Sequence, residues 1–182
     1  VVPNMKLILR IGIVSLLALF TANTMAVAQN RGGGKARPSP NAAISQTIGT
    51  TVVSLTYGRP SLKGRSIENL VPPGKVWRTG ANESTAITFS ADVKVGDKAI
   101  SAGTYSLYTI PGESEMTIII NSKMSWGTQY DEAQDVARTN VSMTNTGFAE
   151  RFTITFDSLS DTKANMNLHW GEYLVVVPIE VQ

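Results

Sequence analysis

Tryptophan, arginine, asparagine and glutamate stand together in Val76-Trp77-Arg78-Thr79-Gly80-Ala81-Asn82-Glu83-Ser84, within a chain otherwise dominated by Val, Thr, Ser and Ile. An arginine fork pairs well with a carboxylate, whether that of Glu83 or that of a ligand. In one reading Arg59, Arg65 and Arg78 hold an anionic or hydroxylated ligand, and Trp77 supplies a flat stacking face. In the other, Glu83 pairs with Arg78 or Arg59, Asn82 caps a turn, and the segment is a buried staple. The spacing favours the staple: Arg78 and Glu83 are five residues apart, and Gly80 between them lets the chain turn sharply. An arginine beside a carboxylate can also transfer protons and stabilise an anion. A hydrolase or lyase would then use Glu83 or Asp135 with Arg78 or Arg138.

Other chemistries find little footing. His169 is the only histidine. Alternation along a strand puts it opposite Leu168 and Trp170, on the side of Asn165 and Asn167, where it reads as structural or surface. One histidine and no cysteine leave no zinc ligand set. Asp131, Glu132, Asp157 and Asp161 lack calcium-loop spacing, so neither a metal nor a cofactor is expected. There is no G-x-S-x-G elbow, no Ser-x-x-Lys pair and no phosphate-binding fingerprint. Arg31-Gly32-Gly33-Gly34-Lys35 is glycine-rich but precedes no helix.

The elements that would position these residues read as strands. Thr51 to Tyr57 alternates, with Val53, Leu55 and Tyr57 on one face. Ala86 to Phe89 is short. Val93 to Val95 and Lys98 to Ile100 flank Gly96-Asp97 as a hairpin. Thr104 to Ile110 ends at Pro111-Gly112, and Met116 to Asn121 follows. Ala137 to Met143, Phe152 to Phe156 and Ala164 to Trp170 alternate, and Tyr173 to Val181 is apolar on both faces until Pro178. Only Gln129 to Arg138 could host a helical turn. Short strands with frequent turns predict a single-domain, all-β antiparallel sandwich, Ig-like or jelly-roll-like. Tyr105, just after Gly103 at a sheet corner, is placed to send its hydroxyl back to a nearby backbone group.

The N-terminus carries a leader pattern. Met5 reads as the start, Lys6 and Arg10 are the positive region, Ile11 to Phe20 is the apolar run, and Ala26-Val27-Ala28 is the small-residue cleavage signal. The expected organisation is a signal peptide over 1–28, a flexible linker over 29–41 and the sandwich over 42–182. Cleavage would remove two of the 16 basic residues and none of the 14 acidic ones, leaving formal neutrality. That removes the electrostatic case for nucleic-acid binding. The apolar run is shorter than the about 20 residues of a permanent span, so none is expected after cleavage. Zero cysteines exclude disulfides, which suits a bacterial periplasmic or secreted protein.

Three segments resemble one bacterial exported family, domain of unknown function 2911: "YGRPSLKGRSI", "LVPPGKVWRTGANESTAITFSADVKVGDKAISAGTYSLYTIPG" and "HWGEYLVVVPIEV". The resemblance runs from about Asn41 to Val181. It implies an exported, mostly β domain with no established reaction. Its matching positions are Arg59, Pro60, Gly64, Arg65 and Trp77 to Glu83, then Tyr105, Trp126, Gly127, Tyr130, Asp135, Arg138 and Trp170. This chain departs from the pattern at Glu68-Asn69 and at Pro73-Gly74, where the family has an aromatic-Gly pair and Tyr-Gly, and at Met116, where Trp is common. If those aromatics line a pocket, the pocket here is altered. The resemblance adds Trp126, Tyr130, Asp135 and Arg138 as a second wall facing Trp77 to Glu83. The function expected is a non-catalytic periplasmic ligand-binding or interaction module, its ligand a small molecule, glycan or peptide. The small envelope hydrolase or lyase above and a self-associating structural protein are the alternatives.

Overall fold

A computed structural model of the protein describes residues 36–181. The leader read from the sequence, and the linker as far as residue 35, lie outside the described residues. Residues from Arg37 onward fall in one unit. Its strands are β1 (Asn41–Ile48), β2 (Thr51–Gly58), β3 (Thr85–Phe89), β4 (Val93–Val95), β5 (Lys98–Ile100), β6 (Gly103–Pro111), β7 (Glu115–Asn121), β8 (Asp135–Asp157) and β9 (Lys163–Val181). They pair in the order β1-β2-β3-β6-β7-β8-β9-β4-β5, every pairing antiparallel. The all-β antiparallel class expected from alternation is present, as one continuous ladder of nine strands.

Two long strands make that continuity. In β8, Asp135 to Ser142 pairs with β7, and Met143 to Asp157 pairs with β9. β9 in turn pairs with β8 as far as Val175, and with β4 at Ile179 to Val181. The separate strands expected at Ala137 to Met143 and Phe152 to Phe156 are thus one strand, and so are those at Ala164 to Trp170 and Tyr173 to Val181. Glycines sit where the chain bends: Gly171 has φ +59°, and the β8–β9 register slips around Asn145 to Thr153, which includes Gly147.

The far end of the ladder folds back onto β8. The Phe152 amide donates to the Pro60 carbonyl at 3.0 Å, and the Leu62 amide to that of Glu150 at 3.0 Å. The Ile154 amide donates to the Tyr57 hydroxyl at 2.9 Å. Apolar faces of β2 and β3 therefore meet those of β8 and β9 in one core, which joins Val53, Leu55, Ile87 and Phe89 to Phe152, Ile154, Met166 and Val177. Alternation supplies each face, as the buried Val53, Leu55 and Tyr57 show against half-buried Val52, Ser54 and Thr56. On the opposite side, Thr139 Oγ1 donates to Asp97 Oδ1 at 2.6 Å and ties the β4–β5 turn to β8.

Helix is minimal. A single turn, α1 (Ile67–Leu70), is capped by the Ser66 hydroxyl, which accepts from the Asn69 amide. A 3-10 turn at Glu132–Gln134 lies within the stretch expected to host a helical turn. Among the described residues, no helix is long and apolar enough to cross a membrane. Tyr105 Oη donates to the Ser101 carbonyl at 3.0 Å, the corner bond expected from its place after Gly103.

Candidate functional site

The Trp77 to Ser84 segment is a tight corner held by its own backbone. Trp77 and Thr109 exchange amide bonds of 2.7 and 2.9 Å, and Glu83 forms a β-bridge with Trp126. Two non-glycine residues take positive φ within four positions, Thr79 at +51° and Asn82 at +68°. For a β-branched residue this conformation costs about 1–3 kcal/mol and persists only when surroundings over-determine it. Thr79 is fully buried, and its carbonyl accepts from Thr85 Oγ1 at 2.7 Å. Gly58 and Gly80 let the end of β2 meet this corner backbone to backbone. A Cβ on Gly58 would overlap the Ala81 carbonyl, and one on Gly80 would come 3.0 Å from the Gly58 carbonyl oxygen.

The ion pair expected between Arg78 and Glu83, or between Arg59 and Glu83, is not among the ion pairs of the described residues. Arg37 takes the Glu83 carboxylate instead, reaching Oε1 at 3.0 Å and Oε2 at 2.8 Å, with both side chains about a quarter exposed. The positive-φ turn explains the change. It sends Glu83 toward the 37–40 segment, where Asn82 Nδ2 also donates to the Ser39 carbonyl at 3.2 Å. Arg78 runs across Gly127, where any Cβ would strike its side chain. The Arg78 Nε is buried with no hydrogen-bond partner. Arg59 donates to the Phe152 carbonyl and to Thr153 Oγ1 at 3.0 and 2.6 Å, and Arg65 to the Leu62 and Ser61 carbonyls, both at 2.9 Å. Those two arginines staple backbone rather than converge with Arg78 on a ligand.

The second wall expected from the sequence does pack on the first. The Ser84 amide and hydroxyl both donate to the Ser125 carbonyl, at 3.3 and 2.9 Å. Trp126 beside it is half exposed. Tyr130 packs edge-on against Tyr108, ring centroids 4.9 Å apart. Its hydroxyl donates to Asp135 Oδ2 at 2.7 Å and accepts from Arg138 Nη2 at 2.7 Å. Arg138 Nε also donates to Asp135 Oδ2 at 2.7 Å, and Asn121 Nδ2 to Oδ1 at 2.8 Å. Both Asp135 oxygens are therefore engaged. The Asp135 contact holds the Arg138 guanidinium above its usual range.

Burial first, and then the bond to Asp135, pushes Tyr130 up from 10.0 to about 12. A group raised in the fold contributes stability below its ordinary value, and that contribution is lost as pH rises through the folded one. The stability difference between wild type and Tyr130→Phe should therefore hold to about pH 10 and shrink by about pH 12. Denaturant melts across that window check it, and a constant difference would refute the assignment.

The residue expected to read a ligand by stacking, Trp77, faces a cavity instead of the corner. The cavity is about 280 Å³, and its walls come from α1, Val71 and Pro73, the β6–β7 turn, and the inward residues Met143, Phe152, Leu168, Trp170, Tyr173 and Val175. Trp77 stacks on Trp170 at 5.4 Å and meets Phe152 edge-on at 4.9 Å. Both indole N–H groups are engaged, Trp77 with the Gly80 carbonyl at 3.1 Å and Trp170 with that of Glu150 at 3.3 Å. The aromatic wall is thus fixed in place and offers the cavity only ring faces and edges. At the rim, Tyr173 Oη donates to Glu68 Oε1 at 2.6 Å. That bond holds the Glu68 carboxyl below its usual range and raises the Tyr173 phenol.

Of the ten binding candidates read from the sequence, only Trp77 lines this cavity. The other lining residues were missed as site residues, although the three departures from the family pattern, Glu68, Pro73 and Met116, all stand in its wall. That clustering was the available signal. His169 bonds the Gly147 carbonyl at 2.7 Å. Among the described residues, no group of His, Asp and Glu is placed to hold a metal ion.

No curated protein and no solved structure matches the chain. A family model does, over residues 39–179, nearly all of the β domain, and its description is protein of unknown function, DUF2911. With that match spread across the corner, both walls and the cavity, the chain belongs to the DUF2911 family.

Proposed function

We propose that the protein is an exported, non-catalytic binding module, and that its ligand is a small, largely apolar molecule held in the cavity beside Trp77. The observation that carries this reading is the fixed aromatic wall of Trp77, Trp170 and Phe152 around a cavity of about 280 Å³. That volume lies just below the range of small-molecule sites, which run from roughly 300 Å³ upward and are mostly apolar, so the ligand must be small. A glycan would bring many hydroxyls to a wall with few polar partners, and a peptide would need a longer groove. The leader pattern at Lys6 to Ala28 supports export to the periplasm or beyond.

The hydrolase or lyase reading has less support. The Glu83 carboxylate is forked by Arg37, and Asp135 accepts from Tyr130, Arg138 and Asn121. Neither is presented free to a substrate. The binding reading is tested by titrating 1-octanol into protein carrying Trp126→Phe, so that fluorescence reports only Trp77 and Trp170. A saturable change is expected, and it should vanish in Val71→Phe, which fills the cavity without adding a tryptophan. Unsaturable change, or saturation unaffected by Val71→Phe in a variant that melts normally, refutes the reading.

A further inference from the structure

The rim of the cavity is acidic. Glu68 on α1 and Glu113 on the β6–β7 turn both line it, and none of the lining residues is Lys, Arg or His. Glu68 is bonded by a neutral donor, the Tyr173 hydroxyl, so its negative charge is not cancelled. Glu113 has no ion pair or hydrogen bond among the described residues. The rim is also held in shape: the Gly74 amide donates to the Pro111 carbonyl at 2.8 Å, and the Gly112 amide to that of Glu115 at 2.8 Å. The first bond joins the turn after α1 to the β6–β7 turn that carries Glu113, and the second closes that β6–β7 turn. Inside the rim lie the rings of Trp77, Trp170, Phe152 and Tyr173. Ring faces carry negative quadrupole charge and attract a cation within about 6 Å of the centroid.

We propose that the cavity selects an amphiphilic organic cation, an alkyl or aryl ammonium whose apolar part fills the cavity and whose charged head sits between Glu68 and Glu113. This rests on the cavity being the binding site, and it adds the sign of the ligand. An anionic amphiphile of the same length would bring its head to two like charges with no counter-charge in the lining. A neutral one would gain the apolar contacts alone. The carboxylates are exposed, so the charge effect is modest and falls with salt.

The test uses three eight-carbon ligands differing only in the head: octylammonium, 1-octanol and octanoate. Each is titrated against the Trp126→Phe protein at low ionic strength. Octylammonium should bind about tenfold more tightly than 1-octanol, the combined effect of ring faces and exposed carboxylates, and octanoate more weakly than both. Glu68→Gln with Glu113→Gln should bring the octylammonium-to-octanol ratio toward one, and added salt should reduce it. Saturable binding of all three with no order by charge overturns the charge selection while leaving the cavity reading standing. A preference that survives the double substitution also overturns it. No saturable binding of any of the three overturns both. If the double variant does not fold, the salt series alone decides, since a preference unmoved by salt is not electrostatic.

Discussion

Phe152→Ala is expected to destabilise the protein by about 3–5 kcal/mol, the range for removing a buried aromatic from a packed core. Phe152 is 1% exposed. Its ring meets Tyr57 at 5.6 Å, Trp77 at 4.9 Å and Trp170 at 6.2 Å, so one side chain joins β2, the corner and β9. Its amide also carries the bond to Pro60 that folds the ladder over, a bond that alanine retains. The loss should therefore be a packing loss, and the cavity beside Trp77 leaves few atoms able to relax into the gap. For a domain of this size the melting temperature should fall by roughly 10–15 °C. A calorimetric scan decides it, and a drop of only a few degrees would mean that the aromatic cluster is not the centre of the fold.

Gly58→Ala should cost about 3 kcal/mol or more, at the upper end of overpacking penalties. The glycine is not needed for its φ, since Gly58 is not among the residues with positive φ. It is needed for space. The added methyl would meet the Ala81 carbonyl, which belongs to the backbone of the corner and cannot swing aside as a side chain would. Moving it would break the bond from the Ala81 amide to the Gly58 carbonyl, 3.2 Å, and disturb the one from the Arg59 amide to the Pro40 carbonyl, 2.8 Å. Gly147→Ala is the control, because a Cβ there meets nothing within 4 Å. Chemical denaturation of the two variants should separate them clearly. Equal midpoints would show that the close approach of β2 and the corner carries no stability.

The strands were legible because burial repeats every second residue, and Val53, Leu55 and Tyr57 in β2 or Met166, Leu168 and Trp170 in β9 display that period directly. Their fusion into two long strands was not. Gly147 and Gly171 look like turn residues in sequence, yet the structure uses them to bend a strand without ending it. The corner was recognised as a structural key, but its partner was misassigned. Arg37 lies 46 residues from Glu83, in a segment rich in Gly and Pro, and no local spacing points to it. The cavity is harder still. Its walls are drawn from α1, the corner, the β6–β7 turn and both long strands, and only folding brings those stretches together.

The sharing of β8 between β7 and β9 bears on how the chain must assemble. Both halves of the ladder wait for β8, because its first segment supplies the partner of β7 and its second the partner of β9. The bonds that close the fold span great lengths of chain, with Tyr57 and Ile154 lying 97 residues apart. Such contacts reward the chain only after a long loop has closed, which slows folding and leaves strand edges unsatisfied in the meantime. β8 emerges late from the ribosome, so during synthesis β1 to β3 must wait for their closing partner. Under the export proposed above, that delay would be an asset: a chain that cannot finish folding early stays extended enough to be threaded through a translocation pore.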